Sequence, residues 1–303
     1  MSGRKTGREN LTTFHWGELA AQARAGFSER AAGVSRLVQP LLPGGADDFL
    51  AHQNLLFVGA QADDGRLWAS LFTGPRGFVS APDDESVRIR ARLDADDPVE
   101  PMTRRDGRLG LLAIDLETRI RLRINGAATP LPDGLRLAVE QSFPNCPKYI
   151  QKRSVARGRD SQPGERTTAS ALTEPMRELV AGADTFFVAS ASETGDPDVS
   201  HRGGNPGFVQ VLSPTRLRWP DYAGNSMLMT LGNITENPRS ALLVVDWATG
   251  STLQLTGRAE VLWAAEGSRA VEFELDEAVH RPRSLPANWS APTPSRYNPP
   301  LPA

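Results

Sequence analysis

The chain has 303 residues, with 34 Lys and Arg against 36 Asp and Glu, and so a formal charge of −2. That near balance, with no basic stripe and no basic–aromatic interleaving, argues against nucleic acid as a partner. No stretch approaches the ~20 apolar residues that span a bilayer, and residues 1–13 carry no secretory apolar run, so a cytoplasmic protein with no membrane partner is expected.

In chain order, Gly17 to Gly26 and Ser28 to Pro40 read as helices, and Asp133 to Ser142 as a further one. Ser154 to Thr168 holds Arg, Gly, Ser, Asp and Gln with almost nothing apolar, the composition of a linker. Leu172 to Ala183 is predicted helical, with Thr173 as N-cap and Pro175 in the first turn. Asp184 to Ala191 and Pro197 to Arg202 read as a hairpin about Glu193-Thr194-Gly195-Asp196. Phe208 to Leu212 and Leu217 to Trp219 are short strands split by Ser213-Pro214-Thr215. Met227, Leu228, Leu231 and Ile234 have helical spacing and stop before Asn237-Pro238. Ala241 to Trp247 and Thr252 to Leu262 form a longer hairpin, and Arg269 to Leu275 alternates as a closing strand. The proline-rich end, 281–303, is expected to be extended or mobile.

The halves repeat each other. At an offset of 130, Leu56-Phe57-Val58 falls on Phe186-Phe187-Val188, and Ser70, Gly74, Gly77, Phe78 and Val79 fall on Ser200, Gly204, Gly207, Phe208 and Val209. At 131, Leu111-Leu112, Asp115, Leu122 and Gly126 match Leu242-Leu243, Asp246, Leu253 and Gly257. Turn glycines and strand residues in one order point to an internal duplication of a small closed β unit. The predicted fold is β-rich, two tandem split β-barrels with short flanking helices. Its divisions are 1–153 for a degenerate N-terminal barrel, 154–168 for the linker, 169–280 for the C-terminal barrel and 281–303 for the tail.

The copies differ where chemistry matters. Only the second has Arg202 beside a Gly203-Gly204 turn and Gly224-Asn225-Ser226 before a helix, the parts of a phosphate cradle: a guanidinium fork, close backbone approach and free N–H groups. Lys occurs only at positions 5, 148 and 152, so any phosphate grip must rely on Arg and backbone donors.

Those residues carry a resemblance. The run Asp198 to Gly207, then Trp219-Pro220-Asp221-Tyr222-Ala223-Gly224-Asn225-Ser226, Asn237-Pro238-Arg239 and Leu253-Gln254-Leu255-Thr256-Gly257, resembles the pyridoxamine 5'-phosphate oxidase-like family, whose members are FMN-binding split barrels and typically dimers. It is most similar to a two-barrel bacterial branch, with His201 where that branch often has Pro. The resemblance implies FMN in the second barrel. Arg202 would contact the phosphate with Asn225 and Ser226. Ser200, His201 and Gly203 would line the ribityl chain and ring edge. Trp219, Pro220 and Asp221 would form the opposite wall, and Gln254 would reach the flavin from a later strand. It further implies an oxidoreductase acting on an unidentified small-molecule substrate or electron donor, and a homodimer. The Lys pairs of the true pyridoxamine phosphate oxidases are missing, which points away from vitamin B6 oxidation. A non-catalytic flavin-binding or redox-partner module, or a barrel that has lost its ligand, fits the same residues. Deazaflavin and haem are held by other split-barrel proteins.

The string Ser142-Phe143-Pro144-Asn145-Cys146-Pro147-Lys148-Tyr149-Ile150-Gln151 ends the first half, its two prolines and Asn145 fixing a bent loop. Lys148 and Tyr149 are candidates for a lid over the flavin, while Cys146 reads as a buried structural cysteine. The one cysteine allows no intrachain disulfide or multi-thiolate metal site. His15, His52, His201 and His280 form no metal motif, so no metal is expected. No nucleophile elbow and no dinucleotide fingerprint is present, and no catalytic residue is assigned.

Overall fold

The computed structural model describes residues 13–158, 162–264, 267–285 and 287–301. Residues 1–12 of the first predicted division, residues 159–161 of the linker, residues 265 and 266 of the C-terminal division, and residues 286, 302 and 303 of the tail lie outside the described residues.

Helices α1 (Trp16–Arg24), α2 (Ser28–Val34) and α3 (Ala46–Ala51) lead into the first half. Its strands are β1 (Leu55–Gln61), β2 (Leu67–Thr73), β3 (Val79–Asp83), β4 (Ser86–Ile89), β5 (Gly107–Asp115), β6 (Ile120–Leu131) and β7 (Gly134–Pro144), with α4 (Glu100–Thr103) after β4. Short strands β8 (Val155–Gly158) and β9 (Thr167–Ala169) follow, then α5 (Glu174–Gly182). The second half has β10 (Thr185–Ala191), β11 (Pro197–Gly203), β12 (Gln210–Ser213), β13 (Arg216–Pro220), α6 (Met229–Glu236), β14 (Arg239–Asp246), β15 (Ser251–Trp263) and β16 (Arg269–Arg281). Strand β17 (Ala287–Trp289) pairs with β8.

The protein is β-rich, with two tandem split barrels and short helices. The sheets run β2-β1-β5-β6-β7-β4-β3 and β11-β10-β14-β15-β16-β13-β12, one strand order met twice. Even the irregularities correspond: the register shifts at Asn125/Gly126 in one half and at Thr256/Gly257 in the other. At both bulges a Cβ would collide with a carbonyl of the next strand, Ala138 or Glu274, so both positions need glycine.

Two sequence expectations fail. Asp133 to Ser142 is not a helix but belongs to β7, paired with β4 and β6. Leu135, Leu137 and Val139 alternate with Arg136, Ala138 and Glu140, the strand period rather than the helical one. The helix foreseen over 28–40 stops at Val34, with a 3₁₀ turn over Ser35–Leu37.

Each barrel has its own apolar core, Leu56, Val58, Leu111 and Ile124 in one and Phe186, Val188, Trp219 and Leu255 in the other. A third cluster joins them through Phe57, Leu112, Phe187, Ala189 and Leu243. At its centre the repeat-related rings of Phe57 and Phe187 stack with centroids 3.5 Å apart. The halves therefore pack face to face about an approximate twofold, β11 against β5 and β6, β2 against β14 and β15. Among the described residues no helix is long and apolar enough to cross a membrane.

Helix α1 sits on α6 through Gly17 and Gly232, where a Cβ on Gly232 would lie 2.5 Å from Glu18 Cα. His15 caps α1 and binds across it, Nδ1 to Glu236 Oε1 at 2.5 Å and Nε2 to Asn233 Oδ1 at 2.8 Å, a structural role. Burial raises the Glu18 carboxyl from 4.5 to about 7, against the pull of His15 and with Asp198 and Glu236 adding to the rise. A carboxyl raised on folding stabilises fully below its unfolded value and loses that contribution as pH climbs toward 7. Glu18→Gln should thus gain about 2 kcal/mol more stability over wild type at pH 8 than at pH 5, read from denaturant midpoints. A difference independent of pH would show that Glu18 is not buried as described.

Candidate functional site

The site grows from β11. Pairing with β10 fixes its alternation, and His201, only 4% exposed, points toward the first half with its ring edge-on to Phe187. Facing it across the inter-barrel junction is β6, where Arg121 and Arg123 alternate with Leu122 and Ile124 of the first core. The loop from Asn145 to Tyr149 closes the top, and Pro220, Tyr222, Gly224 and Asn225 form the far wall. Together they enclose a cavity of about 70 Å³.

The cleft is strongly cationic. Arg123 is buried and pairs with Asp198 at 2.7 Å across the two halves. Arg202 reaches Asp221 only at 3.8 Å, and Asp221 is held more closely by Arg269 at 3.0 Å. Arg121 has no carboxylate partner among the described residues; its Nη2 donates to Cys146 O at 2.5 Å and its Nη1 to His201 Nδ1 at 3.0 Å. Burial, with Arg123 and Arg202 beside it, pushes the Arg121 guanidinium down to about 9. Burial, then Arg121, Arg202, Arg153 and Arg123, hold His201 well below its ordinary value, so the ring is neutral near pH 7. Because Arg121 can only donate, His201 Nδ1 is the acceptor and Nε2 carries the proton. That Nε2 is buried without a protein partner, as are the Nε atoms of Arg121, Arg123 and Arg202. Unsatisfied buried donors on guanidiniums with too few counter-charges suit an anion, and a phosphate above all.

The loop over this cleft is anchored by shape. Tyr149 takes φ 66°, and its carbonyl lies where a Cβ on Gly203 would go, so Gly203 admits the loop. Tyr149 Oη donates to Ala223 O at 2.9 Å, and its ring lies 5.2 Å from Tyr222. Cys146, read from sequence as buried, is half-buried and lines the cleft.

His201, Arg202, Gly203, Pro220, Asn225, Lys148 and Tyr149 are brought together. Five other predicted residues are not. Ser200 is fully buried against α6, its hydroxyl 3.0 Å from Thr230 Oγ1. Trp219 packs into the second core edge-on to Phe186, because alternation on β13 turns it inward with Leu217. Asp221 is a buried ion-pair partner of Arg269 behind the wall, touching the site only through Arg202. Ser226 is no helix start: it has φ 66°, Leu228 has φ 54°, and α6 begins at Met229. Asn225 instead closes a turn, its Oδ1 accepting from Met227 N at 3.1 Å.

Gln254 lies elsewhere, donating to Ala69 O at 3.0 Å and Asp97 Oδ2 at 3.3 Å. It lines the counterpart of the cleft on the other side of the twofold, a cavity of about 190 Å³. There Thr252 and Gln254 stand for Arg121 and Arg123, Leu71 stands for His201, and Asp94, Asp96 and Asp97 line the wall. Burial raises the Asp97 carboxyl, partly offset by bonds from Ser70, Val99 and Gln254. This twin cleft is of mixed charge where the first is basic: Arg92, Arg166 and Arg281 stand among the aspartates, with Arg281 Nη1 2.7 Å from Asp94 Oδ2 and 2.8 Å from Asp96 Oδ1. Larger hollows, about 510 Å³ beside Trp247 and Trp289 and about 780 Å³ beside Trp263, gather none of the predicted cofactor-binding residues.

Arg121 and Arg123 were missed because they belong to the first half. The repeat held the signal: Gln254, carried back by 131 positions, is Arg123.

Residues 172–285 match the family model described as pyridoxamine 5'-phosphate oxidase. No curated protein matches the chain. Among solved structures, it is similar to an FAD-binding protein from Mesorhizobium loti, at 17% identity and TM-score 0.29, over 39% of this chain and 99% of that one. An FMN-binding protein from Syntrophomonas wolfei aligns at 11% identity and TM-score 0.28, over 36% and 84%. A pyridoxinephosphate oxidase family protein from Clostridium acetobutylicum, related to a general stress protein, aligns at 17% identity and TM-score 0.26, over 37% and 89%.

Proposed function

Residues 172–285 belong to the pyridoxamine 5'-phosphate oxidase family, and from that premise we propose that the chain binds one FMN in the basic cleft between its halves and serves as an oxidoreductase on a small molecule. The observation that carries this reading is Arg121, a guanidinium without a carboxylate partner among the described residues, bonded to His201 Nδ1 and lining one cavity with Arg202 and His201, whose Nε2 is unpartnered. The donor set fits a phosphate. Arg121, Arg202 and Lys148 would hold the anionic end, with Asn225 at the rim. The neutral His201 would offer Nε2–H as a hydrogen-bond donor without adding charge. Tyr149 and Tyr222 would cover the ligand and exclude water. When bound, FMN itself supplies the hydride and electron chemistry, and the protein supplies grip, orientation and electrostatics.

One flavin per chain is expected, because the arginines of the twin cleft stand beside Asp94, Asp96 and Asp97, with Arg281 paired to the first two, whereas no carboxylate lines the basic cleft among the described residues. Both walls of the basic cleft come from a single chain, so the proposed homodimer would bury other faces. The division into barrels at 153 and 169 belongs to the same proposal. Titration with FMN should quench flavin fluorescence to an endpoint at one equivalent per chain. Absence of uptake would overturn the reading, and an endpoint at two would overturn the assignment to one cleft.

A further inference from the structure

The cavity of about 70 Å³ beneath the Asn145–Tyr149 loop accommodates an anion, whereas sites for ligands the size of a mononucleotide run to several hundred Å³. Anything larger than the anionic group therefore needs the loop to lift. What holds it down is the C-terminal tail. Lys152 and Thr293 exchange two backbone hydrogen bonds, each 2.9 Å. Tyr149 N donates to Ser295 Oγ at 3.2 Å, and Lys148 Nζ lies 5.4 Å from the centre of the Tyr297 ring. The tail also grips the glycine turn at the cleft's edge, since Asn205 Nδ2 donates to Pro299 O at 3.0 Å and Asn298 Nδ2 to Asn205 Oδ1 at 3.1 Å.

One buried side chain ties these pieces together. Gln151, 1% exposed, donates through Nε2 to Tyr149 O at 2.9 Å, Gly204 O at 3.3 Å and Asn298 Oδ1 at 3.2 Å. Its Oε1 accepts from Ser295 N at 2.8 Å and Asn298 Nδ2 at 3.0 Å. Loop, glycine turn and tail thus meet on a single carboxamide. We propose that Gln151 is a positioning residue, the latch by which the tail segment Thr293 to Asn298 keeps the loop closed over the basic cleft and sets the rate at which a flavin mononucleotide enters and leaves. The latch rests on the flavin reading for its ligand and on the hydrogen bonds alone for its mechanics.

The two bonds that Gln151 shares with Asn298, at ordinary net strength, favour the closed loop by about tenfold, and both variants lose them. For Gln151→Ala, stopped-flow fluorescence with FMN should show association and dissociation both faster by about tenfold, with the dissociation constant much less changed. Simple damage to the site would raise dissociation alone. Because Gln151 is buried, Asn298→Ala, at a half-buried position, serves as the second variant and should show the same paired acceleration. Hydrogen exchange on the unliganded protein gives an independent readout: amides of 148–152 should exchange about tenfold faster in both variants, with β10 and β14 unchanged. Unchanged exchange, or a rise in dissociation without one in association, would overturn the latch. Failure of wild type to take up FMN would count against the flavin reading, and hydrogen exchange would still decide the latch.

Discussion

Arg121→Ala is expected to weaken FMN binding by about 2 kcal/mol, roughly thirtyfold, without destabilising the unliganded protein. The two effects separate because Arg121 is not part of an ion pair among the described residues. Its nearest charged neighbours are Arg123 and Arg202, both repulsive, and its bonds go to a carbonyl and an imidazole. Removing it strands no carboxylate and relieves like-charge repulsion in a half-buried site, so the melting temperature should hold or rise. The bound phosphate, by contrast, loses a charge-assisted donor that nothing else at that position replaces. Equilibrium titration and thermal melting of the same preparation check both parts. Unchanged affinity would remove Arg121 from the site, and a large drop in stability would mean that its role is structural.

Asp198→Ala should have the opposite profile, destabilising the fold by about 3–5 kcal/mol. Asp198 and Arg123 are both buried and meet at 2.7 Å, with Asn125 Nδ2 a further 3.5 Å contact to the carboxylate. Truncating the acid leaves a guanidinium in a poorly solvated junction beside Arg121 and Arg202, with the buried Glu18 carboxyl as the remaining acid acting on it. The cost arises from that stranded charge rather than from the worth of the pair. Arg123→Met combined with Asp198→Leu should therefore recover most of the loss. Denaturant unfolding of both single variants and the double variant measures the coupling directly. A cost below about 1 kcal/mol for Asp198→Ala would mean that water reaches the pair.

Much of the architecture was legible because the repeat compares the chain with itself. Matches at 130 and 131 correctly aligned β1 with β10, β2 with β11, β5 with β14 and β6 with β15. The alignment ended at Gly126 and Gly257, where both halves bulge, and β7 lay just beyond it. The alternation seen over Arg269 to Leu275 in β16 is therefore not carried back to β7, and Leu135, Leu137 and Val139 read as a helical face. For the candidate site, local motifs single out His201, Arg202, Gly203 and Asn225, which the structure brings together, because one strand and one loop carry them. Trp219 faces inward on β13, and Ser200, on the same face of β11 as Arg202, is covered by Thr230 of α6, neither of which the quoted string reveals. Gln254 lies apart from them for a different reason. The cleft takes one wall from each half, so the late strand of the second half serves the twin cleft, and Arg121 and Arg123 serve this one. Pairing of that kind depends on how two barrels dock, through contacts such as Phe57 on Phe187, which no local motif encodes.

The central claim is that the cleft recognises an anionic flavin tail, and comparison of FMN with riboflavin, which lacks the phosphate, tests it most directly. With wild-type protein at fixed ionic strength, FMN is expected to bind at least about tenfold more tightly than riboflavin, through charge-assisted bonds to Arg121 and Arg202. Equal affinities for the two, or no affinity for either, would contradict it.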